Sequence, residues 1–247
     1  MNHELYAANQ MRRVGLRAGL TLAALLLVAI APAWMAGAQA KKAAKATPTP
    51  ALPEPMRNLG SKTAPITLEV FSDYECPTCR EFYENTLKLM MSSYIAEGKV
   101  YFVHRDFPLP GHKYSLDAAR WEIAASRIGK FQEVDAALYD NQRAWAADGS
   151  VEKYVQGALS AADFKRVKSQ VEGCLTQTVA SVKPAAQTNH VCAVDNYIAE
   201  DKALGQQVPV TGTPTYVIYR NGQRLTSGSG FVSWKIMKEF FDSLGAQ

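Results

Sequence analysis

Residues 64–82, APITLEVFSDYECPTCREF, decide how the rest of the chain is read. Ile66 to Phe71 is a short strand candidate that Ser72-Asp73 ends. Cys76 and Cys79 follow with two residues between them, and Pro77 fits the first turn of a helix, where no backbone N–H is required. One turn brings the sulfurs together, and the positive end of the helix favours a thiolate on Cys76. Tyr83, Leu87, Met90 and Tyr94 continue an amphipathic helix that Gly98 ends. Val100-Tyr101-Phe102-Val103 then reads as a buried strand. Strand, helix, strand of this length is a βαβ unit with a parallel pair, and open α/β sheets place their chemistry at the C-terminal ends of such strands.

From about 107 to 205 the pattern is helical. Trp121, Ala124, Ala125 and Ile128 form one apolar stripe, Phe131, Val134 and Leu138 a second, and Phe164, Val167, Val171 and Leu175 a third. All three are expected to pack into the core. Thr215 to Tyr219 is a strand, Asn221-Gly222 a hairpin turn, and Gln223 to Thr226 the start of the returning strand. Trp234, Met237, Phe240 and Leu244 mark a closing helix. The order is β-α-β, a helical block, then β-β-α.

The chain has 247 residues, 47% of them hydrophobic, enough for one substantial core. Arg12, Arg13 and Arg17 precede an apolar run, Leu20 to Ala31, then Pro32 and the small residues 36–40. That is the layout of a signal peptide cleaved before Lys41. The uncharged stretch 18–40 is also long enough for a membrane anchor, which takes about 20 apolar residues. Arg12-Arg13 matches a twin-arginine export signal only weakly. Each reading places the remainder outside the cytoplasm. The formal charge of +4 falls close to zero once residues 1–40 are set aside, so no nucleic-acid footprint is expected. Residues 41–58 are rich in Pro, Ala and Lys and read as a solvated tether to a domain at 59–247.

The β-α-β/β-β-α order, the Cys-x-x-Cys at the first strand-to-helix turn and a proline before the third strand resemble the thioredoxin fold. The helical insertion, Ala64 to Phe82, Arg105-Asp106-Phe107-Pro108-Leu109 and Gly212-Thr213-Pro214-Thr215 resemble its DsbA-like branch of extracytoplasmic thiol-disulfide oxidoreductases. The resemblance implies that Cys76 is the exposed nucleophile and Cys79 the buried resolving thiol, with Pro77 and Thr78 between them. It also implies a cis Pro214 beside the disulfide, with Thr213 presenting backbone groups to an extended substrate. Relatives carry a buried acid that exchanges a proton with the second cysteine. Glu69 is the candidate here, although it stands one residue further from the first cysteine than in relatives, and such a shift turns a strand side chain to the other face. Asp73 and Glu75 are expected to face solvent.

The family introduces disulfides into exported proteins, drawing on unfolded clients with cysteines. It is reoxidised by a quinone-linked membrane partner of the DsbB or vitamin-K-epoxide-reductase (VKOR) type. No dissociable cofactor is expected, because the redox-active disulfide carries the electrons, and the location implied is periplasmic. Strongly oxidising relatives place a histidine where Thr78 stands, so the expected potential lies between about −120 mV and thioredoxin's value of about −270 mV. Two alternatives stand beside this. One is an isomerase or reductase kept reduced by a membrane partner, which uses the same residues. The other is a chaperone-like binder of unfolded exported proteins, in which the helical block holds the client and the cysteines are secondary.

Cys174 and Cys192 are read as a structural disulfide closing a loop of about 18 residues, which stabilises a fold by about 3 kcal/mol in the chain-entropy model. Buried free thiols and a second redox relay are the other readings. Lys183-Pro184 and Asn189-His190 suggest a turn between the two helices that carry them. Zinc on the cysteines is disfavoured because structural sites use two close pairs, and no metal is expected. His104, His112 and His190 read as surface or strand-end residues.

Overall fold

A computed structural model describes residues 53–180 and 192–245. The export segment 1–40, the tether as far as residue 52, and the expected turn around Lys183-Pro184 and Asn189-His190 lie outside the described residues. No helix among the described residues is long and apolar enough to cross a membrane.

Strands β1 (Asn58–Leu59), β2 (Ile66–Ser72), β3 (Val100–Asp106), β4 (Thr215–Arg220) and β5 (Gln223–Ser229) form one sheet in the order β1-β3-β2-β4-β5. β2 and β3 are parallel and the other neighbours antiparallel. Ile66, Leu68 and Val70 point to one face of β2 and are buried there. Strand alternation sends Glu69 and Phe71 to the other face and returns Ser72 to the first. At the hairpin, Asn221 and Gly222 have φ of 48° and 79°, as a type I′ turn requires.

The helix after β2 begins as α1 (Pro77–Phe82), passes through a π-helical turn Tyr83–Leu87 and a short α2 (Lys88–Met90), and ends in a second π-helical turn, Met91–Ile95. The expected stripe still faces inward: Tyr83, Leu87, Met90 and Tyr94 are each no more than 5% exposed. Gly98, with φ of 72°, stops the helix.

Between β3 and β4 lie α3 (Ser115–Ser126), α4 (Phe131–Asp140), α5 (Gln142–Asp148), α6 (Val151–Ala158), α7 (Ala161–Ala180) and α8 (Ala193–Gln207). This is the helical insertion expected of the fold, and α9 (Trp234–Ser243) closes the chain. The stripe residues pack as expected, except that Leu175 faces outward at 45% exposure. Its neighbour Cys174 points in instead, to a bond with Cys192. Gly205 of α8 lies against Phe107, and a Cβ there would come within 2.5 Å of the ring, so the close approach of α8 to Phe107 depends on glycine.

The tether ends sooner than residue 58. Arg57 is buried, and Asn58 and Leu59 pair with Val103 and Phe102 of β3. The Arg57 guanidinium meets the carboxylates of Asp106, at 3.0 Å, and Asp201, which offset the cost of burying its charge. Composition marks the prolines up to Pro55 as a tether; it carries no sign of these distant acids.

Candidate active site

β2 delivers the chain to a tight turn, and Cys76 caps α1 in extended conformation, with Pro77 at the first helical position. The two thiols stand open, Cys76 at 6% exposure and Cys79 at 1%. The first cysteine is therefore more covered than the expected exposed nucleophile, because the 213–214 loop lies over it. The Thr213–Pro214 peptide is cis, and the Cys76 S–H donates to the Thr213 carbonyl at 3.3 Å. Pro77 is exposed and Thr78 partly so.

The two sulfurs have opposite electrostatics. Hydrogen bonding from Cys79 lowers the Cys76 pKa; burial opposes this, but the Thr213 side-chain hydroxyl and the backbone N–H groups of Cys79 and Thr78 add to the lowering, to about 5. Burial pushes the Cys79 thiol well up, and the neighbouring Cys76 pushes it further. One group is ready to attack as a thiolate at neutral pH and the other holds its proton.

Three parts of the surroundings depart from the sequence reading. Asp73 does not face solvent: it is 1% exposed, and its carboxylate accepts from the N–H groups of Glu75 and Leu109, the Ser115 hydroxyl and His112 Nδ1, all within 2.8 Å. Glu75 is half-buried and accepts from the Tyr114 N–H at 2.6 Å. His104 is not a surface residue either. It is 2% exposed, stacked on Tyr74 with centroids 5.2 Å apart, and 3.3 Å from Asp106. His112 is partly exposed; burial lowers its pKa, but the hydrogen bond and charge of Asp73 outweigh this and raise it, with Cys76 adding to the rise.

Glu69 is the third departure. Its carboxylate accepts from Arg105 Nε at 2.7 Å and from the Tyr219 hydroxyl at 3.1 Å, on the face of β2 opposite Ser72. Cys79 instead has the Asp73 backbone N–H at 3.5 Å, and hydrogen bonding from the Ser72 and Thr213 hydroxyls offsets part of the rise of its pKa. The parity of the strand separates Glu69 from the sulfur.

Gln142 is a site residue that no local signal announced. Its amide N–H₂ donates to the carbonyls of Tyr74 and Cys76, at 2.6 and 2.8 Å, and so braces the turn that carries the nucleophile. Cys174 and Cys192 lie elsewhere, joined as a disulfide. His104, Asp106 and Glu122 bring ligand-type atoms within 4.8 Å of one another. Arg57 already places a positive charge against Asp106 there, which disfavours a cation at that cluster. Between β4 and α9 an apolar groove of about 260 Å³ is lined by Tyr216, Ile218, Val232 and Ile236, beginning two residues after Pro214.

A family model described as thioredoxin matches residues 53–234. The chain belongs to the thioredoxin family. A "probable disulfide bond formation protein D" from Bacillus cereus is 25% identical over 171 residues, covering 67% of this chain and 70% of that protein. The disulfide bond formation protein D of Bacillus subtilis is 23% identical, covering 74% of this chain and 70% of its own length. Among solved structures, a variant of Wolbachia pipientis alpha-DsbA1 superposes with a TM-score of 0.58 at 17% identity, over 76% of this chain and 89% of its own. Oxidised BdbD from Bacillus subtilis gives a TM-score of 0.55 at 20% identity, over 77% of this chain and 95% of its own. At these identities the structural likeness speaks for the fold, and the fold is that of the DsbA-like branch, helical insertion included.

Proposed function

We propose that this protein introduces disulfides into exported proteins through the Cys76–Cys79 pair. It is a thiol-disulfide oxidoreductase of the DsbA-like kind, and its relatives are named for disulfide bond formation. The direction of electron flow is the finer reading, and the asymmetry of the two thiols carries it. A first cysteine with a pKa of about 5 lies between the thioredoxin value of about 7 and the DsbA value of about 3.5. A stabilised thiolate favours the reduced enzyme, which makes the disulfide form an oxidant.

In the reaction a client thiolate attacks Cys76 Sγ of the oxidised pair and Cys79 leaves. A second client thiolate then attacks the client sulfur of the mixed disulfide, releasing oxidised client and dithiol enzyme. The Thr213 carbonyl and the apolar groove beyond Pro214 suit an extended, unfolded segment. The electrons reside on the cysteines, so no dissociable cofactor is called for. Reoxidation falls to a quinone-linked membrane partner of the DsbB or VKOR type. The basic-apolar N-terminus supports an extracytoplasmic location, reached by a cleaved signal or held by a tether at 18–40. Equilibration of the purified domain in glutathione buffers tests the direction. A potential above about −270 mV is expected, and one at or below that value would place the protein among reductases.

A further inference from the structure

The exchange step puts a negative charge where the protein is least able to solvate it. When a client thiolate attacks Cys76 Sγ, a new S–S bond forms and the Cys76–Cys79 bond breaks. Its electron pair stays on Cys79 Sγ. The charge of the incoming thiolate has been moved to Cys79, and no proton is needed for the step. Cys79 is 1% exposed, and a bare anion at such a site is costly unless donors already point at it.

Three donors do. The Asp73 backbone N–H lies 3.5 Å from Cys79 Sγ, and hydrogen bonding from the Ser72 and Thr213 hydroxyls favours the Cys79 thiolate against the cost of burial. A serine hydroxyl has a single proton, so what else it touches decides where that proton points. Here the second partner is the Tyr139 hydroxyl of α4, 2.7 Å from Ser72 Oγ. If Tyr139 donates to Ser72, the Ser72 proton is free for the sulfur, and the chain Tyr139 to Ser72 to Cys79 polarises cooperatively. Tyr139 is held for this task. It is 2% exposed and lies between the rings of Tyr74 and Tyr83, each with its centroid 4.8 Å away. The Tyr74 hydroxyl is engaged elsewhere, donating to Asp135 at 2.9 Å.

We propose that the Ser72–Tyr139 hydroxyl pair, together with the Asp73 backbone N–H, receives the charge that develops on Cys79 when the disulfide is attacked. Ser72 is then a catalytic residue of the exchange and Tyr139 a positioning residue that acts through it. This rests on the exchange reading above and replaces Glu69, which faces away. The other groups around the sulfur are consistent with the assignment. The Thr213 hydroxyl favours the Cys79 thiolate as Ser72 does and shares in receiving the charge, and Cys76 is the attacked partner. The Asp73 carboxylate has its own four donors, those of Glu75, Leu109, His112 and Ser115. Burial above all, then the charges of Cys79, Asp135 and Asp73, oppose ionisation of Tyr139 and outweigh the hydrogen bond with Ser72, so the phenol keeps its proton and can serve as donor.

The test measures how fast dithiothreitol attacks the oxidised protein, with and without the hydroxyls, and how Cys79 titrates in a Cys76→Ser background, read by thiolate absorbance. Ser72→Ala should slow the attack roughly tenfold, as expected for one hydrogen bond to a charged group. Tyr139→Phe keeps the stacked ring and should slow it about threefold, through the weakened chain alone. In the Cys76→Ser background both changes should move the Cys79 midpoint further up, and Ser72→Thr should restore rate and midpoint towards wild type. Unchanged rates in both variants would overturn the proposal. So would slower rates with an unmoved Cys79 midpoint, which would mark a purely structural role. If Ser72→Ala does not fold, Tyr139→Phe decides by the same two readings. A wild-type protein that fails to exchange with thiols at all would instead remove the exchange reading itself.

Discussion

The two cysteine pairs of this protein look alike at one end. Cys76 caps α1 and Cys192 caps α8, both in extended conformation, and each has a helical N–H near its sulfur. Both are 6% exposed, and their partners Cys79 and Cys174 are each 1% exposed. What differs is where the partner comes from and what lies across the pair. Cys79 is in the same helix as Cys76, and the Thr213 carbonyl faces them from a distant loop. Cys174 comes from α7, with its Cα 4.9 Å from that of Cys192, and their bond closes a loop of sequence separation 18. A helix N-terminus and burial are thus shared by both pairs and cannot by themselves make a redox centre. The close spacing and the facing loop are what set the first pair apart.

The largest expected effect breaks that symmetry directly. Cys76→Ser should abolish disulfide exchange with a reduced client, while Cys174→Ser with Cys192→Ser keeps at least half of the wild-type rate. A double variant as inactive as Cys76→Ser would mean that the second pair takes part in the relay. That same double variant should unfold more readily, by about 3 kcal/mol in denaturant titration if the chain-entropy account applies. The reading of the second pair as structural fails if its stability is unchanged.

The Cys76 pKa sharpens the contrast further. Alkylation of the reduced protein should follow a titration with a midpoint of about 5, since the thiolate is the reactive form. The same shift has a sign for stability. The folded value is depressed below the ordinary 9.0, so the unfolded chain binds more protons between the two. The contribution of Cys76 to the stability of the reduced protein is therefore fully present above about pH 9 and lost as pH falls through about 5. The oxidised protein, which has no thiol to titrate there, should lack this component. Parallel pH profiles for the two forms would contradict the shift. The smallest effect is expected at Glu69: Glu69→Gln should leave the exchange rate and its pH profile within about twofold, because its carboxylate serves Arg105 and Tyr219.

Much of the fold was legible in the sequence because its signals are local. Ile66 to Phe71 alternates with an inward face, Pro77 opens a helix, and Asn221-Gly222 turns a hairpin, each within a few residues. The cysteine motif is local in the same way. The rest of the site is built across long sequence separations. His104 reads as a strand-end residue until Tyr74 and Asp106 are seen around it, and Asp73 reads as a solvated acid until its four donors assemble. Gln142 has no pattern at all; its role exists only because α5 passes beneath the 74–76 turn. Glu69 shows the opposite case, since its one-residue offset from relatives is visible in the sequence, and that single step along the strand is what turns it to the other face.

The Gln142 amide also bears on what a minimal version of this protein would be. The helical block supplies the clasp that holds the nucleophile's own backbone, through the carbonyls of Tyr74 and Cys76. Transplanting Cys76-Pro77-Thr78-Cys79 into another scaffold would carry the sulfurs and leave that clasp behind. A movable unit would need at least the tetrapeptide, α5 and the facing 213–214 loop, separate pieces of chain that no linear motif search would join.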